Sequence, residues 1–210
     1  VAVKSGKMED LGRALMSQIH LLGTRGFSVT RVITDPEGGL VALKDKIPGV
    51  LIDIVGAGDH LHKVDARIRR LKEMMRCVID DLPYSLPVLR RDDLVIYVTS
   101  RKNSRKTKAL SDNVSPRVKF TGLKVNYQKE YEIGFGDYVE AYIPNVESKT
   151  MAPRTEPCIA LYPAGNVSGS WILWSLRSLH YVRRTNYKKL YTTPHVINVM
   201  NALAGVTGIK

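Results

Sequence analysis

Residues 50–75 read VLIDIVGAGDHLHKVDARIRRLKEMM. An apolar strand runs into a Gly56-Ala57-Gly58 turn, and a strongly basic amphipathic helix follows. Leu61, Val64, Ile68, Leu71 and Met75 step by three and four, so they share one helix face. Asp65 is the isolated acid of the first turns. It lies beside that face, with Arg69, Lys72 and Arg76 in the same sector. Two readings stand for it: an i,i+4 ion pair with Arg69, or a metal ligand on a surface that handles phosphodiesters. His60 and His62 are two apart and do not share a helix face. The Gly-Ala-Gly turn also invites a dinucleotide-binding reading, but Leu61 stands where the fingerprint needs a third small residue.

Upstream, Lys7 to Leu22 is predicted helical, with Met8, Leu11, Leu15, Ile19 and Leu22 as its stripe and Gly23 at its end. Phe27 to Ile33 reads as a strand, and the adjacent Val32 and Ile33 predict one buried on both faces. Asp35 and Pro36 open a further helix, which Ile47-Pro48-Gly49 interrupts before the strand Val50 to Val55. Helix, strand, helix, strand, helix implies an α/β layer with parallel pairing. Such sheets place their sites at strand ends, here Asp35 and Gly56 to Asp59.

Downstream, Val88 to Lys102 is predicted helical, apolar at Leu94, Val95, Tyr97 and Val98, and Ser115 to Gly122 connects onward. The texture then changes to short strands: Phe135 to Ile143, Pro157 to Tyr162, Trp171 to Leu176 and His180 to Arg183. Proline and glycine punctuate them, which suggests a small barrel or sandwich. Thr193 to Ala204 closes as a short helix, with Thr193 as cap, Pro194 at the first position and Gly205 beyond.

The chain has 210 residues, is 44% hydrophobic and carries a net charge of +12. No apolar run is long enough to span a bilayer, and no signal-peptide pattern is present. The positive excess points to a polyanionic partner. It is concentrated: Pro157 to Lys210 has no Asp or Glu, and RKNSRKTK (101–108) has five basic residues and no acid. The bland alternative is a solvated surface. Cys77 and Cys158 lack zinc-ligand spacing and read as small core residues in a reducing compartment. Trp171 reads as core. Tyr187, flanked by Arg183, Arg184, Lys188 and Lys189, is the better candidate for stacking on bases. A first residue Val1 suggests a piece of something longer.

TDPEGGL (34–40), VDARIRRLKE (64–73), SPRVKFTG (115–122), FGDYVEAYIP (135–144), CIALYP (158–163), GSW (169–171) and RRTNYKKL (183–190) together resemble integrases of copia-type LTR retrotransposons. The resemblance covers roughly residues 7–190 and is sharpest from Phe135 to Gly169. It implies an α/β fold: a partial RNase H-like core over 1–112, a linker at 113–131, a small all-β SH3-like barrel at 132–190 and a tail at 191–210. In that family two Asp and one Glu hold two Mg²⁺ for DNA strand transfer. Hard Mg²⁺ takes carboxylate oxygens, and two ions about 3.5–4 Å apart stabilise both the attacking and the leaving oxygen. The second family acid falls on Asp35. The third falls on Asp65, an Asp where the family has Glu. The first acid and the preceding His/Cys zinc module have no counterpart, so an exposed sheet edge and an uncovered apolar helix face are expected.

The implied function is a nucleic-acid-binding fragment of a retrotransposon integrase, without strand transfer of its own. Its catalytic and metal candidates are Asp35 and Asp65. Its nucleic-acid candidates are Arg69, Arg70, Lys72, Arg76, Arg101, Lys102, Arg105, Lys106, Arg183, Arg184, Lys188 and Lys189. The resemblance implies DNA (element ends and target) and possible RNA partners, other parts of the Pol polyprotein, an oligomer in the intact integrase, no membrane, and a nuclear or cytoplasmic-particle location. A non-catalytic basic DNA- or RNA-binding module, and a nucleotide-binding α/β enzyme, stay open beside it.

Overall fold

A computed structural model describes residues 5–34, 38–44, 47–56, 62–107, 110, 113–144 and 151–205. The chain divides into two compact units, residues 1–69 and 70–210. Among the described residues no helix is long and apolar enough to cross a membrane.

The first unit begins with helix α1 (Met8–Gly23), which ends at the glycine that the sequence marks. Strand β1 (Arg31–Thr34), helix α2 (Gly38–Val41) and strand β2 (Leu51–Ile54) follow. The two strands pair in parallel, Arg31 opposite Leu51 and Thr34 opposite Ile54, as the alternation of elements predicts. The core is Leu43, Ile47 and Ile52, with Met8, Leu15, Ile19, Val32, Leu40 and Val50 against it. Gly39 lets α2 approach α1 closely: a Cβ there would lie 2.6 Å from the Gly6 carbonyl oxygen and from Leu11 Cδ1.

The expectation that both faces of β1 are buried is corrected. Alternate residues of each strand point to opposite faces. Val32 and Ile52 face the core, whereas Ile33 and Leu51 are exposed on the other side, at 51% and 57%. On that open face an Arg31–Asp53 ion pair bridges the strands. A parallel sheet normally has both faces covered; this two-stranded one has a single covered face.

Helix α3 (His62–Asp80) carries the boundary between the units. Its predicted apolar seam is buried only in part. Leu71 and Met75, joined by Met74 and Val78, pack on the core of the second unit, whereas Val64 and Ile68 are exposed.

In the second unit a 3₁₀ turn (Val88–Arg90) leads into α4 (Arg91–Asn103). Two short helices follow, α5 (Pro116–Thr121) and α6 (Tyr127–Glu130). Strands β3 (Tyr138–Tyr142), β4 (Thr155–Pro163), β5 (Trp171–Ser175), β6 (Tyr181–Arg184) and β7 (Tyr187–Lys189) come next, then α7 (Pro194–Leu203). The strands form one antiparallel sheet in the order β6-β5-β4-β3-β7. The last strand thus returns beside the first.

Both faces of this sheet are covered. One holds Val139, Ala141, Cys158, Ala160, Trp171 and Leu173, with Ile133. The other places Ile159, Leu161 and Trp174 against Leu94 and Val98 of α4 and Val196 and Met200 of α7. An irregularity between Ala160 and Tyr162 shifts the pairing of β4 with β5. An antiparallel sheet with one wet face alternates buried and exposed; β4 has no exposed position because α4 and α7 cover its second face.

Residues 88–103 lie in the same unit as the sheet. The linker segment 113–131 carries two short helices. Ser115 caps α5, Asn126 caps α6, and Arg117 pairs with Glu130, whose side chain is 3% exposed. After residue 190, Val196 and Met200 of α7 belong to the core and the Asn201 side chain accepts from the Ser85 N–H. Thr193 and Pro194 do start α7, as the sequence predicts. Strand β7 is missed by the sequence reading: three residues, two of them lysines, carry no apolar alternation. Cys158 is buried, but Cys77 is exposed rather than core.

Candidate nucleic-acid interface

Asp35, with Asp59 and His60, lies outside the described residues. Asp65 sits on the first turn of α3, exposed. Among the described residues no three His, Cys, Asp or Glu side chains gather as a metal-holding group.

The cations of α3 behave as an exposed face. Arg69, Arg70, Lys72 and Arg76 are all exposed. On a helix whose C-terminal half is held by Leu71, Met74, Met75 and Val78, Arg70, Lys72 and Arg76 stand on rigid backbone.

The basic stretch after α4 splits. Arg105 and Lys106 are exposed and Lys102 is half-buried, but Arg101 is not a surface cation and its assignment is corrected. It is 8% exposed. Its Nη1 donates to the Glu130 carbonyl at 2.6 Å and its Nη2 to the Ile133 carbonyl at 2.9 Å. The guanidinium lies over Tyr131 at 3.9 Å, Tyr97 at 4.8 Å and Trp171 at 5.5 Å from the ring centroids. Such a planar cation suits both carbonyl forks and ring faces. Spacing is the signal that marks it: Leu94, Val98 and Arg101 fall on one face of α4, the buried one.

The C-terminal cations split as well. Arg183 and Lys188 are exposed on β6 and β7. Arg184 is turned inward: its Nη2 meets Glu156 Oε1 at 3.0 Å, and the other oxygen of that buried carboxylate accepts from the Ser175 hydroxyl at 2.8 Å. Lys189 reaches Asp137 Oδ2 at 2.6 Å. Both therefore serve the sheet. Tyr187 is half-buried, its hydroxyl near Glu132 Oε2 and the Lys129 carbonyl at 3.4 Å, and burial raises its hydroxyl above the usual range. The open ring is Tyr191, 96% exposed beside the same lysines, which no flanking pattern singles out.

A second cluster, where α4 begins, has a structural duty. The Arg90 guanidinium lies 4.8 Å from the ring centroids of both Trp174 and Tyr181 and pairs with Asp93 at 3.2 Å. The Tyr181 hydroxyl donates to Asp93 at 3.1 Å. Burial raises the Asp93 carboxyl above the ordinary carboxylate value, while the Tyr181 hydrogen bond and Arg90 oppose the shift. Burial likewise pushes the Cys158 thiol up to about 12, so it stays protonated.

What remains is a set of exposed cations on helices and strands. No family model matches the chain, and no curated protein matches it.

Proposed function

We propose that this chain is the nucleic-acid-binding part of a copia-type retrotransposon integrase. Its ancestral reaction is Mg²⁺-dependent DNA strand transfer, and the chain itself is without that activity. One observation carries the reading: the strand order β6-β5-β4-β3-β7, all antiparallel. A five-strand meander whose last strand returns beside the first is how a small SH3-like barrel is wound, and the resemblance calls for such a barrel at these residues. The parallel β1–β2 pair with α1 and α2 is in keeping with part of an α/β core. The exposed Arg70, Lys72, Arg76, Arg105, Lys106, Arg183 and Lys188 supply the phosphate contacts.

The test is a titration of labelled duplex DNA at several salt concentrations. Each neutralised phosphate steepens the slope of log K against log salt by about 0.9. With about four of these cations engaged at once, affinity falls about a hundredfold between about 50 and 200 mM salt. A salt-independent affinity, or none at low salt, refutes nucleic-acid binding. Strand transfer by the purified chain with Mg²⁺ refutes the inactive assignment. A stabilising shift on adding a dinucleotide, with no DNA binding, favours the nucleotide-binding alternative.

A further inference from the structure

We infer that Tyr191 is a stacking platform for unpaired nucleobases, so that the surface around β7 takes single-stranded nucleic acid. This rests on the nucleic-acid reading above and adds the ligand class.

Tyr191 is 96% exposed; the next most exposed aromatics among the described residues, Tyr127 and Tyr181, are at 52%. Exposure on this scale does not come from a loose end. The Leu190 N–H donates to the Tyr138 carbonyl at 3.1 Å and so extends the β3–β7 ladder up to the residue before it. The Thr193 side chain accepts from the Val196 N–H and fixes the start of α7 two residues after it. The ring is thus presented by backbone that is tied on both sides.

Its electrostatic setting fits a nucleotide. Lys188, three residues earlier, is exposed, and extended backbone separates the two by about 10 Å along the chain. Glu140, the cross-strand neighbour of Lys188, accepts the Tyr138 hydroxyl at 2.7 Å. Asp137 of the preceding turn is paired with Lys189, and no Asp or Glu occurs in the sequence from Pro157 onward. A lone ring needs a free base face. Bases in a duplex are stacked on both faces, whereas unpaired ones are not, and stacking tolerates any base.

The experiment compares a short oligothymidylate, the matching oligouridylate and a duplex of equal length by fluorescence anisotropy, at one fixed salt. The proteins are the wild-type chain, Tyr191→Ala, Tyr191→Phe and Lys188→Ala. Tyr191→Ala is expected to weaken binding to one or both single strands by about five- to a hundredfold, the loss of one base–aromatic stack. Tyr191→Phe retains binding, duplex affinity is unchanged by either Tyr191 variant, and Lys188→Ala weakens single strand and duplex alike. Thermal unfolding is unmoved, since the side chain is outside the core. If Tyr191→Ala binds single strands within about twofold of wild type, or loses duplex affinity equally, the stacking role is overturned while the nucleic-acid reading stands. If the wild-type chain binds none of the three probes, that reading falls and this one with it.

Discussion

Replacing Arg101 separates a charge that meets phosphates from a charge that builds the fold. The guanidinium makes two hydrogen bonds, to the Glu130 and Ile133 carbonyls, and lies over three rings. Hydrogen bonds to a charged group are worth about 1.5–3 kcal/mol each, and a desolvated cation–π contact about 2. These terms overlap, and breaking a buried charged network costs about 3–5 kcal/mol. Arg101→Ala is therefore expected to destabilise residues 70–210 by about 3–5 kcal/mol. With a urea slope of about 1–3 kcal/mol per molar, the midpoint falls by one to several molar. Arg101→Lys keeps the charge but not the fork, and loses about 2 kcal/mol. Urea unfolding followed by tryptophan fluorescence is the assay, since Trp171 and Trp174 are both buried in this unit. Arg105→Ala, at an exposed position, serves as control and stays within about 0.5 kcal/mol of wild type. The reasoning is refuted if Arg101→Ala unfolds within about 0.5 kcal/mol of wild type and instead lowers the salt slope of DNA binding by about one, as loss of a phosphate contact would.

Asp93 gives a pH prediction. Its folded-state carboxyl is raised by burial, so between the ordinary carboxylate value and the raised one the folded chain holds a proton that the unfolded chain has released. Stability from this group is then fully present below the unfolded value and is lost as pH rises through the folded one. Asp93→Asn should remove that decline, and urea midpoints of the two proteins across the acid range would show no difference in slope if the reasoning fails. Gly136→Ala is expected to cost about 2–4 kcal/mol, because φ is +86° and a Cβ would lie 2.2 Å from Leu82 Cδ2; an unchanged thermal midpoint would contradict this. A thiol reagent should modify Cys77 alone in the native chain and both cysteines in urea. Native modification of Cys158, whose thiol is pushed up to about 12, would show that the core around Trp171 opens.

Much of the local structure is legible in the residues because its causes are local. Gly23 ends α1, Thr193 and Pro194 begin α7, and the alternation around Val32 and Ile52 announces a parallel pair. The β-rich second half follows from short apolar runs between prolines and glycines. The basic balance is a property of composition alone and needs no fold to be read. What the residues do not disclose is which partner each group meets. Arg101, Arg184 and Lys189 are as basic in sequence as Arg105, Arg183 and Lys188, and only the tertiary structure sets the first three against carbonyls and carboxylates and leaves the others in water. Tyr187 and Tyr191 differ for the same reason: one is held by β3 and the 129–132 segment, the other is 96% exposed. Periodicity says which residues share a face of an element. Whether that face meets protein or solvent depends on contacts between residues far apart in the chain, which no spacing rule encodes.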